Sequence, residues 1–337
     1  MALKSFAGKT KSIPLPDSLL VDVLTDPLSI NKACANHFFL NPTTSLPEHD
    51  LIEKDAVAFL NNPLLEAPPP ISDWELEAAI RSLNLDSGAG CDGISSSLLL
   101  AALPVLKAHV RSILDFCLSL CYFPDQWKVV KVAIIGKMNK QSYDSLHSFR
   151  PISLGSNLLK LLENIILGRL SWFSRTHCWL SSNQHGFREG KSTESAAHSF
   201  VSSIKTGFAA RQTSACAFLD IKIAFDSVWH PAIIATLVKR SCLLYLLKIV
   251  GNFLADRTDL LSHRGVNFRK SLSLGCPQGG VLSPFLWIIL IDDVLRATFP
   301  FPVTLVAYAD DLTVPTSHKD PVIATSRLQI VCYFISR

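Results

Sequence analysis

The sequence predicts an α+β fold. Short apolar, β-branched runs stand between longer stretches with helical spacing of Leu and Ile, in irregular order rather than in strict strand–helix alternation. An apolar content of 48% over 337 residues supports a sizeable core, enough for one large domain or two ordinary ones. Only 18% of residues are charged, which excludes the composition of a disordered chain.

Taken in order, residues 1–70 are punctuated by proline and close on Ala67-Pro68-Pro69-Pro70. They read as an upstream linker segment, stiff at its end, with a short helix over 30–39. Ser72-Asp73-Trp74-Glu75 reads as a helix start, with Ser or Asp capping and Glu in the first turn, and that helix runs to about residue 83. Ser87-Gly88-Ala89-Gly90-Cys91-Asp92-Gly93 is a loop. Helix follows at about 95–121, a β-branched strand over 129–135, and helices over 158–172 and 192–210. Residues 216–221 form a short apolar strand that delivers Asp220. A long buried helix opened by Gly and Pro spans 278–299, and two apolar runs over 303–314 flank Asp310-Asp311 as a hairpin with acids at its tip.

The net charge of +4 is unevenly spread. Residues 118–205 hold eleven Lys/Arg against five Asp/Glu, whereas the first 70 hold five against eight. A basic middle suits a polyanionic partner, and solvated helix faces would give the same count. The nine cysteines form no CxxC pair, which argues against zinc and for reduced thiols in an intracellular protein. The first ten residues lack the apolar core of a signal peptide. The apolar stretch 281–290 is about half a bilayer span and runs into Asp292 and Asp293, so it reads as buried helix and no membrane partner is expected.

Asp310 and Asp311 between apolar runs are costly to hold together, because like charges repel and desolvation raises their pKa. A bound divalent cation removes the conflict, and a solvated Asp-rich turn is the plainer alternative. Asp220 at a strand end could equally cap a following helix. Together the three acids match what two-metal nucleotidyl transfer needs, about two or three carboxylates around two Mg²⁺ ions some 3.5–4 Å apart.

Several ordered blocks then carry a family resemblance. Tyr308-Ala309-Asp310-Asp311 resembles the YxDD box of reverse transcriptases. The run from Asp220 through Phe225, Asp226, Trp229 and His230 resembles the acid-bearing motif of LINE polymerases and is more specific. Gly275-Cys276-Pro277-Gln278-Gly279-Gly280 is similar to their PQG motif. Phe149-Arg150-Pro151-Ile152-Ser153-Leu154 with Lys160 and Glu163 is similar to the fingers motif, and Gln184-His185-Gly186-Phe187-Arg188 to the next one. Trp127-Lys128 and Gly90-Cys91-Asp92-Gly93-Ile94 match upstream blocks. Over roughly residues 30–315 the chain resembles the reverse transcriptase of non-LTR, jockey/CR1-type retrotransposons.

The resemblance implies a right-hand polymerase fold with fingers and palm, and with the thumb missing. It implies an upstream linker over 1–70, an N-terminal extension of the fingers over 71–117 and a reverse transcriptase domain over 118–337, with fingers to about 205 and palm from about 206. It implies RNA-directed DNA polymerisation, in which a primer 3′-hydroxyl attacks the α-phosphate of a dNTP. Asp220, Asp310 and Asp311 would be catalytic and, with the Ile221 carbonyl, would hold two Mg²⁺ ions, Mn²⁺ being a substitute. Phe225 would stand under the sugar and exclude a 2′-hydroxyl. Gln278, Gly279 and Tyr308 would line the nucleotide site, and Arg150 and Lys137 would neutralise the triphosphate. Asp226 would be structural. RNA template, DNA primer and dNTP are the implied partners, with no other small-molecule cofactor, in a cytoplasmic ribonucleoprotein and the nucleus. A catalytically inactive RNA-binding fragment of a decayed element is the alternative. A group II intron-type polymerase shares the 149–154 and 186–188 blocks, and the 225–230 run favours the LINE side.

Two features depart from these patterns. Gly136-Lys137-Met138-Asn139-Lys140 stands where relatives carry a proline- and glycine-bearing loop, and Ser87 replaces a common lysine. The segment Gly186–Ser192 approaches a phosphate-binding P-loop, but three residues instead of four separate its glycines and His185 stands where a glycine is required.

Overall fold

In the computed structural model, residues 26–40, 47–140, 142–221 and 223–336 are described. Helices and strands alternate irregularly among them, the α+β arrangement expected from the sequence. α1 (Pro27–Phe38) opens on Asp26, whose carboxylate accepts from the Ser29 N–H at 2.8 Å, with Pro27 in the first turn. α2 spans Pro47–Asn61. α3 (Asp73–Ser82) begins with the capping box that Ser72 and Glu75 announce: each side chain accepts from the other's backbone N–H. α4 (Ser96–Ser119) and the single turn α5 (Asp125–Lys128) lead to β1 (Val129–Gly136) and β2 (Phe149–Leu154). Next come α6 (Asn157–Thr176), α7 (Thr193–Ala209), β3 (Thr213–Asp220), α8 (His230–Lys239) and α9 (Leu244–Leu254). A hairpin of β4 (Arg257–His263) and β5 (Val266–Leu272), then α10 (Ser283–Leu295), a hairpin of β6 (Val306–Tyr308) and β7 (Asp311–His318), and α11 (Pro321–Ile335) complete the order.

Two sheets organise these elements. One has the order β2-β1-β4-β5, with β1 antiparallel to β2 and parallel to β4. The other has the order β3-β7-β6 and is antiparallel throughout. The main core lies among α3, α4, α6, α8, α9 and α10, where Leu114, Leu161, Ile166, Leu246 and Ile288 are buried. A second cluster seats Ile30, Cys34 and Phe38 of α1 on Val132, Phe149 and Leu261 of the four-stranded sheet. A third lies between the three-stranded sheet and α11, around Leu312, Val314 and Val331.

Several expectations meet the structure directly. Of the stretch 1–70, read as a linker with a short helix over 30–39, residues 1–25 and 41–46 lie outside the described residues, and the rest holds that helix as α1 and a second packed helix, α2. α1 closes a sheet face, with Asn31 Nδ2–H donating to the Val266 carbonyl at 2.9 Å, and the Leu60 carbonyl at the end of α2 accepts from Lys248 at 2.7 Å. The proline run is pinned as well: the Arg169 guanidinium donates to the carbonyls of Pro69 (3.0 Å) and Pro70 (3.2 Å) while pairing with Glu75. The helix expected over 278–299 begins only at Ser283, because Gly279 (φ 111°) and the turn at 277–280 hold the preceding residues off the helical path. β4 and β5 lie beyond residue 206, yet they join β1 and β2 in one sheet. Strands from both sides of residue 206 therefore share one sheet.

α4 is long and apolar enough, by length and composition, to cross a bilayer, whereas the apolar stretch at 281–290 is not. Its Leu99, Leu103, Val110, Leu114 and Cys117 are buried, and Lys107 and Arg111 tie it to α3 through Glu77 (3.1 Å) and Asp73 (2.6 Å).

Candidate active site

Alternation along a strand puts Phe218 and Asp220 on one face of β3. The β3–β7 ladder pairs Asp220 with Asp311 and Phe218 with Thr313, so the two carboxylates stand opposite each other at the open end of the sheet. In the β6–β7 ladder Tyr308 pairs with Asp311, which leaves Ala309 and Asp310 as the turn. Asp220 and Asp311 are exposed and Asp310 is half-buried. Burial pushes the Asp310 carboxyl above its ordinary value, the charges of Asp311 and Asp220 add to this, and Arg150 opposes it. The three acids expected from the sequence thus meet at one strand end.

The two expected cations border the same end. Lys137 follows β1, donates from Nζ to the His147 carbonyl at 2.9 Å, and lies beside Arg150 of β2. Burial lowers the Lys137 ammonium from its ordinary value, the neighbouring charges of Arg150 and Lys140 lower it further, and Asp220 counteracts them. Positive charge from one sheet therefore faces the acids of the other.

The segment after Asp220 turns instead of continuing as helix, so Asp220 is not a helix cap. Ile221 is half-buried against the main core. Phe225 packs between Phe187 (ring centroids 6.3 Å apart) and Trp287 (6.0 Å). Backbone hydrogen bonds bind this turn to the next motif: Cys276 N–H to the Phe225 carbonyl and Gly275 N–H to the Val228 carbonyl, both at 2.7 Å. Gln278 and Gly279 lie on β2. The Ser153 N–H donates to the Gln278 carbonyl at 2.7 Å, and a Cβ on Gly279 would stand 2.9 Å from the Ser153 carbonyl oxygen. Only glycine permits that approach at φ 111°.

Beneath the 277–280 turn lies a buried charged layer. Glu163 of α6 is fully buried, and its Oε2 accepts from the N–H groups of Val281 (2.6 Å) and Leu282 (2.9 Å). Burial raises its carboxyl, opposed by those two N–H groups and the nearby Arg257 and Lys160. Asp226 is pushed up to about 7, by burial first and by the charge of Asp259 second. Asp259 is itself raised by burial to about 6, with Arg257 opposing. Arg257 and Asp259 stand in no sequence motif, and Glu163 is marked in the sequence only by its place in the 149–163 block. A signal existed for Glu163, since it falls on the apolar stripe of α6 with Leu159, Leu162, Ile166 and Leu170.

Among the described residues no three His, Cys, Asp or Glu side chains close into a group that could hold a metal ion. The donor chemistry at the strand end nevertheless fits a hard divalent cation. It is all carboxylate oxygen, two acids are opposed in register, and a third is raised partly by their charge.

Residues 137–334 match the family described as reverse transcriptase (RNA-dependent DNA polymerase). The chain is 35% identical over 237 residues to the RNA-directed DNA polymerase from the mobile element jockey of Drosophila melanogaster, covering 68% of this chain and 25% of that protein. It is 32% identical over 262 residues to the "Probable RNA-directed DNA polymerase from transposon BS" of the same organism, covering 75% of this chain and 29% of that protein. The Pol polyprotein from the type-1 retrotransposable element R1 of Bradysia coprophila is 27% identical over 270 residues, 79% of this chain and 26% of that protein. The chain thus spans only about a quarter to a third of the length of these relatives.

Proposed function

This chain belongs to the reverse transcriptase family of RNA-dependent DNA polymerases, and from that premise we propose that it carries the polymerase site of a non-LTR retrotransposon. The observation that carries the reading is the register of Asp220 against Asp311, with Asp310 in the adjoining turn. In this reading Asp220, Asp310, Asp311 and the Ile221 carbonyl hold two Mg²⁺ ions, or Mn²⁺ in their place. The bound ions would supply charge neutralisation and activation of a primer 3′-hydroxyl.

The chain's own residues supply position. Arg150 and Lys137 face the acids and meet the triphosphate of the incoming dNTP. Gln278 and Gly279 present backbone to the nucleotide beside β2, with Tyr308 at the acid turn. Phe225, braced by Phe187 and Trp287, meets the sugar and selects deoxynucleotides. The four-stranded sheet then belongs to the fingers and the three-stranded sheet to the palm of a right-hand polymerase, and β4 and β5 move to the fingers side of the boundary drawn from sequence. RNA template, DNA primer and dNTP are the partners, without a membrane or further small-molecule cofactor. The place of action is a cytoplasmic ribonucleoprotein and the nucleus.

Primer extension tests the reading. With primed RNA, dNTPs and Mg²⁺, the chain is expected to incorporate deoxynucleotides, and Asp310→Ala to abolish it. Equal activity in the Asp310→Ala chain would sink the site assignment. Retained RNA binding without any extension would support the second reading, an inactive RNA-binding fragment, which the lack of a three-residue metal-holding group among the described residues favours.

A further inference from the structure

The turn that carries Asp310 is built on a strained residue. Ala309 has φ 59°, in the left-handed region that a side chain disfavours, and it is buried. Such a conformation persists only where the surroundings over-determine it. Two surroundings do so here. On one side, residues 183–186 run alongside β6: the Ala307 N–H donates to the Asn183 carbonyl at 3.0 Å and the His185 N–H donates to the Ala307 carbonyl at 2.8 Å. The backbone of Gly186 comes so close that an added Cβ would stand 2.2 Å from the Ala309 nitrogen. On the other side, the Trp287 indole N–H donates to the Ala309 carbonyl at 3.1 Å, in a bond buried from solvent.

Trp287 sits on α10, whose first turn is set by Glu163 through the N–H groups of Val281 and Leu282. Its ring also packs on Phe225. One rigid helix thus joins the 277–280 turn, the aromatic beneath the proposed sugar site and the acid turn. We propose that Trp287 is a positioning residue for Asp310 and Asp311, its indole N–H fixing the left-handed Ala309 so that the two carboxylates are preformed for divalent cations. The proposal rests on the reading of these acids as metal-binding, and no local pattern hints at it, because Trp287 lies in a run that is apolar on every side.

The decisive variant removes only the donor. 3-Benzothienylalanine placed at position 287 keeps the shape of the ring and lacks the N–H; Trp287→Phe is the genetically encoded companion. Mn²⁺ binding by electron paramagnetic resonance and hydrogen exchange across 306–312 are measured beside the melting temperature. The isostere is expected to keep the melting temperature close to wild type, to weaken Mn²⁺ binding roughly tenfold and to speed exchange at 306–312 by a similar factor, the scale of one buried hydrogen bond. Exchange in β1, β2, β4 and β5 stays unchanged. Unaltered Mn²⁺ affinity and unaltered exchange in the isostere chain would overturn the proposal. If the unsubstituted chain binds no Mn²⁺, the polymerase reading falls, and the exchange data still decide whether Trp287 holds the turn.

Discussion

Asp220 and Asp311 are direct partners across the β3–β7 ladder, two carboxylates in register at the end of a sheet. Like charges directly opposite each other destabilise sheet pairing, so the fold retains a pair that its own stability disfavours. Replacing one charge should therefore separate stability from activity. Asp311→Asn is expected to melt at or slightly above the unsubstituted chain and to lose primer extension. Mg²⁺ should raise the melting temperature of the unsubstituted chain by mass action and leave Asp311→Asn little changed. A destabilised Asp311→Asn chain would show that the carboxylate is structural.

The buried acids under the 277–280 turn predict a pH dependence. The folded-state pKa of Asp226 is raised from 3.8 to about 7, so between those values the folded chain binds more protons than the unfolded one. Stability from this group is complete below about 4 and declines as pH rises toward 7. Asp259, raised to about 6, acts in the same direction. Asp226→Asn removes the ionisation and should flatten the decline, so that it is the more stable chain at pH 8 and loses that advantage at pH 4. Urea denaturation at the two pH values checks this. An advantage of equal size at both would assign the effect to packing.

The candidate site was more legible than the fold around it, for a physical reason. Asp220, Asp310 and Asp311 each end or link short apolar runs, which marks them locally, and the ordered motif blocks around them, not the acids alone, choose between a carboxylate cluster and a solvated turn or helix cap. The β4–β5 hairpin gave no such signal. Its turn places Arg264 (φ 49°) and Gly265 (φ 78°) in the left-handed region, as a two-residue hairpin requires, but Arg-Gly lacks the usual Asn or Asp before the glycine. β5 also carries Asn267, Arg269 and Lys270, which mask a strand whose one face is solvated. α1 falls on the helix expected over 30–39 and only starts earlier, whereas α2 was hidden by the proline that opens it; Pro27 and Pro47 serve as first-turn residues and not as linker stiffeners. The hold of Trp287 on Ala309 depends on a contact between residues 22 apart in sequence, on two different elements, and no local pattern encodes it.

Glu163 predicts a different kind of failure from the acids at the strand end. Its Oε2 alone receives two N–H groups at the start of α10, and Glu163→Ala would leave both buried without an acceptor. An unsatisfied buried donor costs about 1–3 kcal/mol, so the variant should lose on the order of 2–4 kcal/mol in urea denaturation. Glu163→Gln keeps an oxygen for the two donors and should recover most of that loss. In steady-state extension under folding conditions, Glu163→Ala is expected to raise KM for dNTP more than it lowers kcat, because the disturbed element is the 277–280 turn. Equal stability of Glu163→Ala and the unsubstituted chain would show that water replaces the carboxylate there.

Gly186 gives the most local test of how the acid turn is held. It is not among the glycines with positive φ, so a side chain there meets no backbone penalty, and the question is one of space alone. A Cβ at Gly186 would stand 2.2 Å from the Ala309 nitrogen and 2.7 Å from its Cα, and both are backbone atoms that no rotamer change can move away. Either the 183–186 segment leaves β6, losing the bonds between Asn183, His185 and Ala307, or the Tyr308–Asp311 turn shifts and carries Asp310 with it. Overpacking of this kind costs about 1–3 kcal/mol, and a shift of about 1 Å in a reacting group is enough to lower a rate by some 10²-fold. Gly186→Ala is therefore expected to cut kcat for primer extension by about two orders of magnitude while the chain stays folded at 25 °C. Gly190, whose φ is 73° and whose added Cβ would meet nothing within 4 Å, provides the control: Gly190→Ala carries backbone strain without contact and should cost stability but little activity. A Gly186→Ala chain with unchanged kcat would mean that the turn tolerates displacement, and the clamp on Ala309 would then be packing without consequence for the acids.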